Sequence, residues 1–242
     1  MHIGIAGAGI MGRLLAFELR RAGFSITIFD QNIPSVSETA AGLLIPITEL
    51  EKNDPIIYQL GTASLNKYWP AFLQAIKASI FFQKTGSIVL AHPRDFSELT
   101  RFIEIVASKL PHQSFYQTLQ REQLSQLEPA ITAFETGIFL DDEGQIDCRS
   151  VMAALNGWLR DRVVFHTMFV DDIAPGKIIA GHHAYHFDLV FDCRGLGAKT
   201  TFPDVRGIRG ELIWLHAPQI NIYRLVRLMH PRYNLYLVPR PE

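Results

Sequence analysis

At 242 residues the chain is long enough to bury a substantial core, as one large domain or two small ones. Its composition, 48% apolar and 19% charged, is that of an ordinary globular protein, and a net charge of −1 leaves no electrostatic footprint for nucleic acid. Two cysteines, Cys148 and Cys193, make no disulfide framework and point to a reducing cytoplasm; no apolar run reaches membrane-spanning length, and an opening core strand leaves no room for a signal peptide.

The first thirty residues organise the chain. Residues 2–6 are short, apolar and β-prone. Gly7-Ala8-Gly9-Ile10-Met11-Gly12 follows at once, then a helical run with Leu14, Leu15, Phe17 and Leu19. Gly23 closes that helix, residues 25–29 read as a second buried strand, and Asp30 stands at its end. Strand, Gly-x-Gly-x-x-Gly, helix, strand and acid make a dinucleotide-binding unit. Gly7 permits the tight turn, Gly9 the close approach of a pyrophosphate, and Gly12 the packing of helix on strand. The N–H groups and dipole of the helix start face the phosphates. Asp30, 18 residues after Gly12, is placed to bond the ribose hydroxyls and disfavours the 2′-phosphate of NADP.

A polar loop over 31–38 leads to Thr39-Ala40-Ala41-Gly42-Leu43-Leu44-Ile45-Pro46, whose small residues allow something flat to approach, or simply pack as a loop. Asp54-Pro55 starts a helix running to about residue 79, either continuous or broken at Pro70. A strand over 82–91 kinks or turns at Gly86, and helices follow over 93–109 and 121–127. Strands at 136–140 and 145–147 flank Asp141-Asp142-Glu143-Gly144, which reads as a solvated turn and is too short for a calcium loop. A helix over 149–160 precedes short strands at 163–166, 169–173 and 177–180. His182, His183 and His186 lack ligand spacing, so no metal is expected. Residues 188–197 read as a buried strand ending in an Arg-Gly-x-Gly turn, the place where an open α/β sheet meets its ligand. Stretches 211–216, 225–230 and 233–238 read as strands of an antiparallel sheet, and the last is expected to be a raw edge.

Taken together, these pieces resemble the FAD-dependent amino-acid and amine oxidases of the D-amino-acid-oxidase type, nearest the glycine-oxidase branch. The resemblance is carried by GIAGAGIMG with Asp30, SETAAGLLIP, GIFLDDEGQID before a helix, FDLVFDCRGLGA, and RGIRGELIWL followed by LYLVPR. It implies an α/β fold: a Rossmann-like FAD-binding domain, discontinuous over 1–79 and 132–206, with an antiparallel-sheet substrate domain over 80–131 and 207–242. Non-covalent FAD would meet Gly7, Gly9, Ile10, Met11 and Gly12 at the pyrophosphate and Asp30 with Gln31 at the ribose. Thr39, Ala40, Ala41, Gly42 and Leu43 would lie along the pyrophosphate, ribityl chain and flavin ring, and Phe169 near the adenine. Cys193, Arg194 and Gly195 would form the turn beside the cofactor, and Tyr236 would reach the substrate. The implied reaction oxidises the C–N bond of a small amino acid or amine by hydride transfer to the flavin, with O2 as acceptor and H2O2 as product.

Family members continue further, with more substrate-sheet strands, an arginine for the substrate carboxylate and a glycine-rich segment over the flavin. The chain is therefore expected to be incomplete at its C-terminus, which leaves open a non-catalytic dinucleotide-binding fragment. Arg224, Arg227 and Arg232 match no carboxylate clamp and read as solvated sheet charges. A nicotinamide-dependent dehydrogenase would share the first thirty residues but gives no role to 39–46 or to the segment after Arg209.

Overall fold

A computed structural model describes residues 1–110 and 114–240; positions 111–113 and 241–242 of the expected substrate domain lie outside the described residues. The chain divides into two compact units, Met1–Ala40 with Cys148–Ile213, and Ala41–Asp147 with Trp214–Glu242. Residues 41–79 and 132–147, expected in the FAD-binding domain, thus fall in the second unit. Short strands account for this: Leu43–Leu44 and Phe82–Gln83 both pair with Gly144–Ile146 in a small antiparallel sheet.

The first unit is built on a four-stranded parallel sheet, ordered Leu189–Asp192, His2–Ala6, Ser25–Asp30, Val164–Thr167. The two central strands, His2–Ala6 and Ser25–Asp30, are covered on both faces and bury every residue but those at their ends, whereas the outer strands Val164–Thr167 and Leu189–Asp192 are exposed or half-buried. Ile3, Ile5, Ile26 and Ile28 pack with Ala16 of helix Ile10–Arg21 and Leu159 of helix Cys148–Leu159. Alternate positions Ala6 and Phe29 meet Ile178 and Ala180 of a second, antiparallel sheet, Val170–Ala174, Lys177–Ala180 and His183–His186.

The second unit carries a five-stranded sheet in the order Leu235–Leu237, Leu225–Met229, Ser87–Ala91, Thr136–Leu140, Gln117–Gln120. It is mixed, not purely antiparallel, because Leu225–Met229 runs parallel to Ser87–Ala91. Val89, Ile138 and Met229 pack under Leu99, Phe102 and Val106 of helix Phe96–Lys109, while Ile88, Leu90 and Val226 face Leu124 of helix Arg121–Leu127. Leu235–Leu237 is the edge strand on one side.

One local expectation is decided and another changes. The helix does not break at Pro70: Pro55–Ala63 widens into a π-helical turn, Ser64–Tyr68, and continues as Trp69–Ile76. The wider turn accommodates a residue that has no N–H to donate. The apolar stretch 211–216 forms no strand, because it joins none of the four sheets and so has no ladder to stabilise extended backbone; Ile213 and Leu215 are each 80% exposed. Among the described residues no helix is long and apolar enough to cross a membrane.

Candidate functional site

In the first unit the candidate residues gather at the carboxyl ends of the parallel strands. Gly7 leaves the opening strand with φ +97°, a conformation that favours glycine, and its N–H donates to the Phe29 carbonyl at 2.8 Å. A Cβ at Gly7 would overlap the Cys193 carbonyl, and one at Gly12 would overlap the Gly7 carbonyl oxygen. Gly9 caps the helix with extended backbone, and a Cβ there would come 3.3 Å from Ser37 Oγ. Ile10 and Met11 open the helix, Met11 well exposed.

Asp30 is half-buried at the end of the neighbouring strand. Its Oδ1 accepts from Ala8 N–H at 3.3 Å and its Oδ2 from Asn32 N–H at 3.0 Å, so the acid is tied to the glycine loop itself. Gln31 is exposed beside it. Phe169 is exposed one residue after Met168, whose N–H donates to the Asp30 carbonyl at 2.9 Å. On the other flank Cys193 N–H donates to the Ala6 carbonyl at 2.7 Å. Burial raises the Cys193 thiol, with Asp192 adding to the effect, so the group stays a neutral packing element. Arg194 folds back in a bidentate pair with Asp192, Nε–Oδ1 2.9 Å and Nη2–Oδ2 2.7 Å, and Gly195 turns the chain with φ +59°. Burial alone would raise Asp192, but the hydrogen bonds from Arg194 outweigh it and hold the carboxyl below its ordinary value.

Thr39 and Ala40 are exposed at the end of the first unit, and Thr39 Oγ1 donates to the Val36 carbonyl at 3.2 Å. Ser37 is a residue that motif reading missed: its Oγ accepts from Ile10 N–H at 3.0 Å, holding a donor at the helix start. The signal was weak, one hydroxyl in a polar loop. Arg13, a charge on the buried stripe of an otherwise apolar helix face, was missed for the same reason: periodicity does not say which stripe is covered.

Ala41, Gly42, Leu43 and Tyr236 belong to the second unit. Gly42 adopts φ +70° and its carbonyl accepts from Ile146 N–H at 2.9 Å; Leu43 pairs with Gln145. Arg240 bonds the Ala41 carbonyl and reaches Gln145 Oε1 at 3.2 Å, pinning this segment. Tyr236 lies opposite Arg227 across the strand pair, its ring centroid 5.8 Å from the guanidinium carbon. Burial pushes its phenol up to about 12, against the opposing charge of Arg227 and with Glu143, Glu49 and Glu51 adding to the shift.

Arg224 and Arg227 correct the solvated reading. Arg227 is 4% exposed and paired with Glu51 at 2.5 Å. Arg224 donates to Leu127 O at 2.8 Å and to fully buried Glu128 at 3.3 Å; Arg232 is exposed. The Asp-Asp-Glu-Gly turn is not fully solvated either. Asp142 pairs with Lys84 at 2.8 Å, and Glu143 is wholly buried, accepting from Thr48 N–H at 2.7 Å and Ser87 Oγ at 2.5 Å. Burial raises Glu143 to about 7, opposed by those hydrogen bonds and by Arg227.

This carboxyl has a consequence for stability. The folded state keeps the Glu143 proton to about pH 7, whereas the unfolded chain releases it near the ordinary carboxylate value. Its contribution is therefore complete below that ordinary value and is lost as pH rises through about 7. Roughly 3 kcal/mol is involved, at 1.36 kcal/mol per pKa unit. The melting temperature should fall between pH 5 and pH 8, and the isosteric Glu143→Gln should remove most of that fall. An unchanged pH slope in E143Q would dismiss Glu143 as its source.

Comparison with known proteins bears on this arrangement. The model of the family DAO, FAD dependent oxidoreductase, matches residues 2–242. A Rhizobium etli protein named thiamine biosynthesis oxidoreductase ThiO is 30% identical over 246 residues, covering 100% of this chain and 68% of the relative. The fold is that of glycine oxidase from Geobacillus kaustophilus (TM-score 0.69, 21% identity, 81% of this chain and 56% of that one). It is also that of iminodiacetate oxidase from Chelativorans sp. BNC1 (TM-score 0.73, 20% identity, 96% and 67%). The chain thus spans little more than half of the first of these structures and about two thirds of the other two proteins. With a glycine loop that leaves no room for a Cβ at Gly7 or Gly12, an acid bonded to it and a family match over nearly every residue, the chain belongs to the DAO family of FAD dependent oxidoreductases.

Proposed function

We propose that the first unit holds the adenosine diphosphate half of FAD. The observation that carries this reading is the glycine loop, where Cβ atoms at Gly7 and Gly12 would overlap backbone carbonyls. On this reading Gly7, Gly9, Ile10, Met11 and Gly12 meet the pyrophosphate, joined by the Ser37 hydroxyl. Asp30 and Gln31 meet the ribose, Phe169 the adenine, and Cys193, Arg194 and Gly195 form the adjoining turn. Thr39, Ala40, Ala41, Gly42 and Leu43 run along the ribityl chain and flavin ring.

The whole protein, in this proposal, oxidises the C–N bond of a small amino acid or amine in a reducing cytoplasm. Bound FAD would supply the two-electron acceptor for the hydride leaving the α-carbon, with O2 taking the electrons onward to give H2O2. Tyr236 keeps its phenolic proton at neutral pH, as a tyrosine ordinarily does, and burial pushes it further up to about 12. It is therefore a hydrogen-bond donor, suited to a substrate carboxylate and unsuited to act as a base.

The test is the visible spectrum of the purified chain after exhaustive desalting, as isolated and after added FAD. Flavin in near-equal ratio to protein is the expected result, with Asp30→Ala weakening FAD by about tenfold, as for loss of one charge-assisted hydrogen bond. A colourless protein that ignores added FAD would overturn the reading, and the same titration with NADH would show whether a nicotinamide binds instead.

A further inference from the structure

Arg13 stands on the first turn and a half of helix Ile10–Arg21, where Leu or Met would be ordinary, yet the residue is only 7% exposed. The chain folds back toward the helix start, and Nε donates to the Ala8 carbonyl at 2.6 Å. The N–H of the same Ala8 donates to Asp30 Oδ1. One residue of the glycine loop is thereby held from both sides, by a cation through its carbonyl and by an acid through its amide. Nη1 of Arg13 is buried without a hydrogen-bond partner among the described residues. Burial disfavours its charge, and Asp30 and then Glu38 partly offset that penalty.

Holding a carbonyl does not require a guanidinium; a glutamine or lysine has a donor for it. A buried, incompletely paired cation is costly unless a further anion acts on it. The helix start one turn away is where a diphosphate belongs, and a helix dipole supplies only about half a unit charge there. We propose that Arg13 is a positioning residue for the cofactor diphosphate. It turns the Ala8 carbonyl inward so that the loop N–H groups face the phosphates, and its buried charge acts on them through the loop. The inference rests on the FAD reading above.

The experiment uses the full chain and three variants, Arg13→Met, Arg13→Lys and Arg13→Gln, each checked for native circular dichroism. Affinities for FAD, ADP and adenosine are measured by flavin fluorescence and calorimetry, with FAD repeated across a salt series. Relative to the parent, R13M should weaken FAD and ADP by about 10- to 100-fold, the range for a buried charge acting at a helix terminus. Adenosine, which lacks phosphate, should be unaffected. R13K should recover part of the loss and R13Q little, and the salt dependence of FAD binding should flatten in R13M and R13Q. If R13M does not fold, the R13K and R13Q comparison carries the same distinction. FAD affinity in R13M within about twofold of the parent, or equal losses for ADP and adenosine, would overturn the proposal while the FAD reading stands. A parent chain that binds neither FAD nor ADP would overturn both.

Discussion

A Gly12→Ala chain is expected to retain no flavin after desalting and to melt well below the parent. The added methyl would lie within overlap of the Gly7 carbonyl oxygen, 3.1 Å from the Gly7 carbonyl carbon and 3.4 Å from Cys193 Cβ. Two of those three contacts are backbone, so no rotamer change relieves them. Either the helix Ile10–Arg21 moves off the strand or the turn at Gly7 opens, and both displace the N–H groups at the helix start. Overpacking of this kind costs about 1–3 kcal/mol, or roughly 2–9 °C in melting temperature for a chain of this size. Gly157 is the control: it is also helical, but a Cβ there meets nothing within 4 Å. G157A should therefore stabilise by about 0.5–1 kcal/mol through helix propensity alone. Circular dichroism melts and flavin content of both variants check the pair. Normal melting and full flavin in G12A would mean the loop is not the close-packed element the structure shows.

The second large effect is expected at the Arg227–Glu51 pair. Both side chains are nearly dry, 5% and 7% exposed, and joined at 2.5 Å. Arg227 stacks against Phe102 at 5.0 Å and Tyr236 at 5.8 Å, with Nε and Nη1 lacking partners among the described residues. Arg101 reaches Glu51 from outside at 3.5 Å. Glu51→Gln would leave a buried guanidinium without its counterion, at a cost of about 3–5 kcal/mol. Arg227→Met should cost less, since Arg101 still faces Glu51, and the double variant should recover most of what E51Q loses, because similar-volume neutral pairs replace buried ion pairs at little net cost. Urea unfolding of the four chains closes the cycle. A cost below about 1 kcal/mol for E51Q would show the pair to be as weak as a surface salt bridge. R227M also removes a charge that opposes the raised Glu143 and Tyr236, so both should titrate higher still.

The opening strand, the glycine turn, its helix and Asp30 were legible from sequence because their information is local. A positive φ demands glycine, a period near 3.6 marks a helix, and a short apolar run marks a strand covered on both faces. The family and its cofactor class followed from the order of such local pieces. What sequence could not decide depends on which residues become neighbours across the chain. Stretch 211–216 has the composition of a strand, but a strand exists only beside a partner edge, and the fold places none there. Glu143 and Arg227 are polar letters that sequence assigns to solvent, because isolated charges are seldom buried. Tertiary structure buries Glu143 against Thr48 and Ser87, 95 and 56 residues away, and Arg227 against Glu51, 176 residues away. Arg13 and Ser37 follow the same logic on a smaller scale. Whether a charge or hydroxyl near a glycine loop serves that loop depends on side-chain direction and on the element packed over it, and neither is written in the spacing of residues.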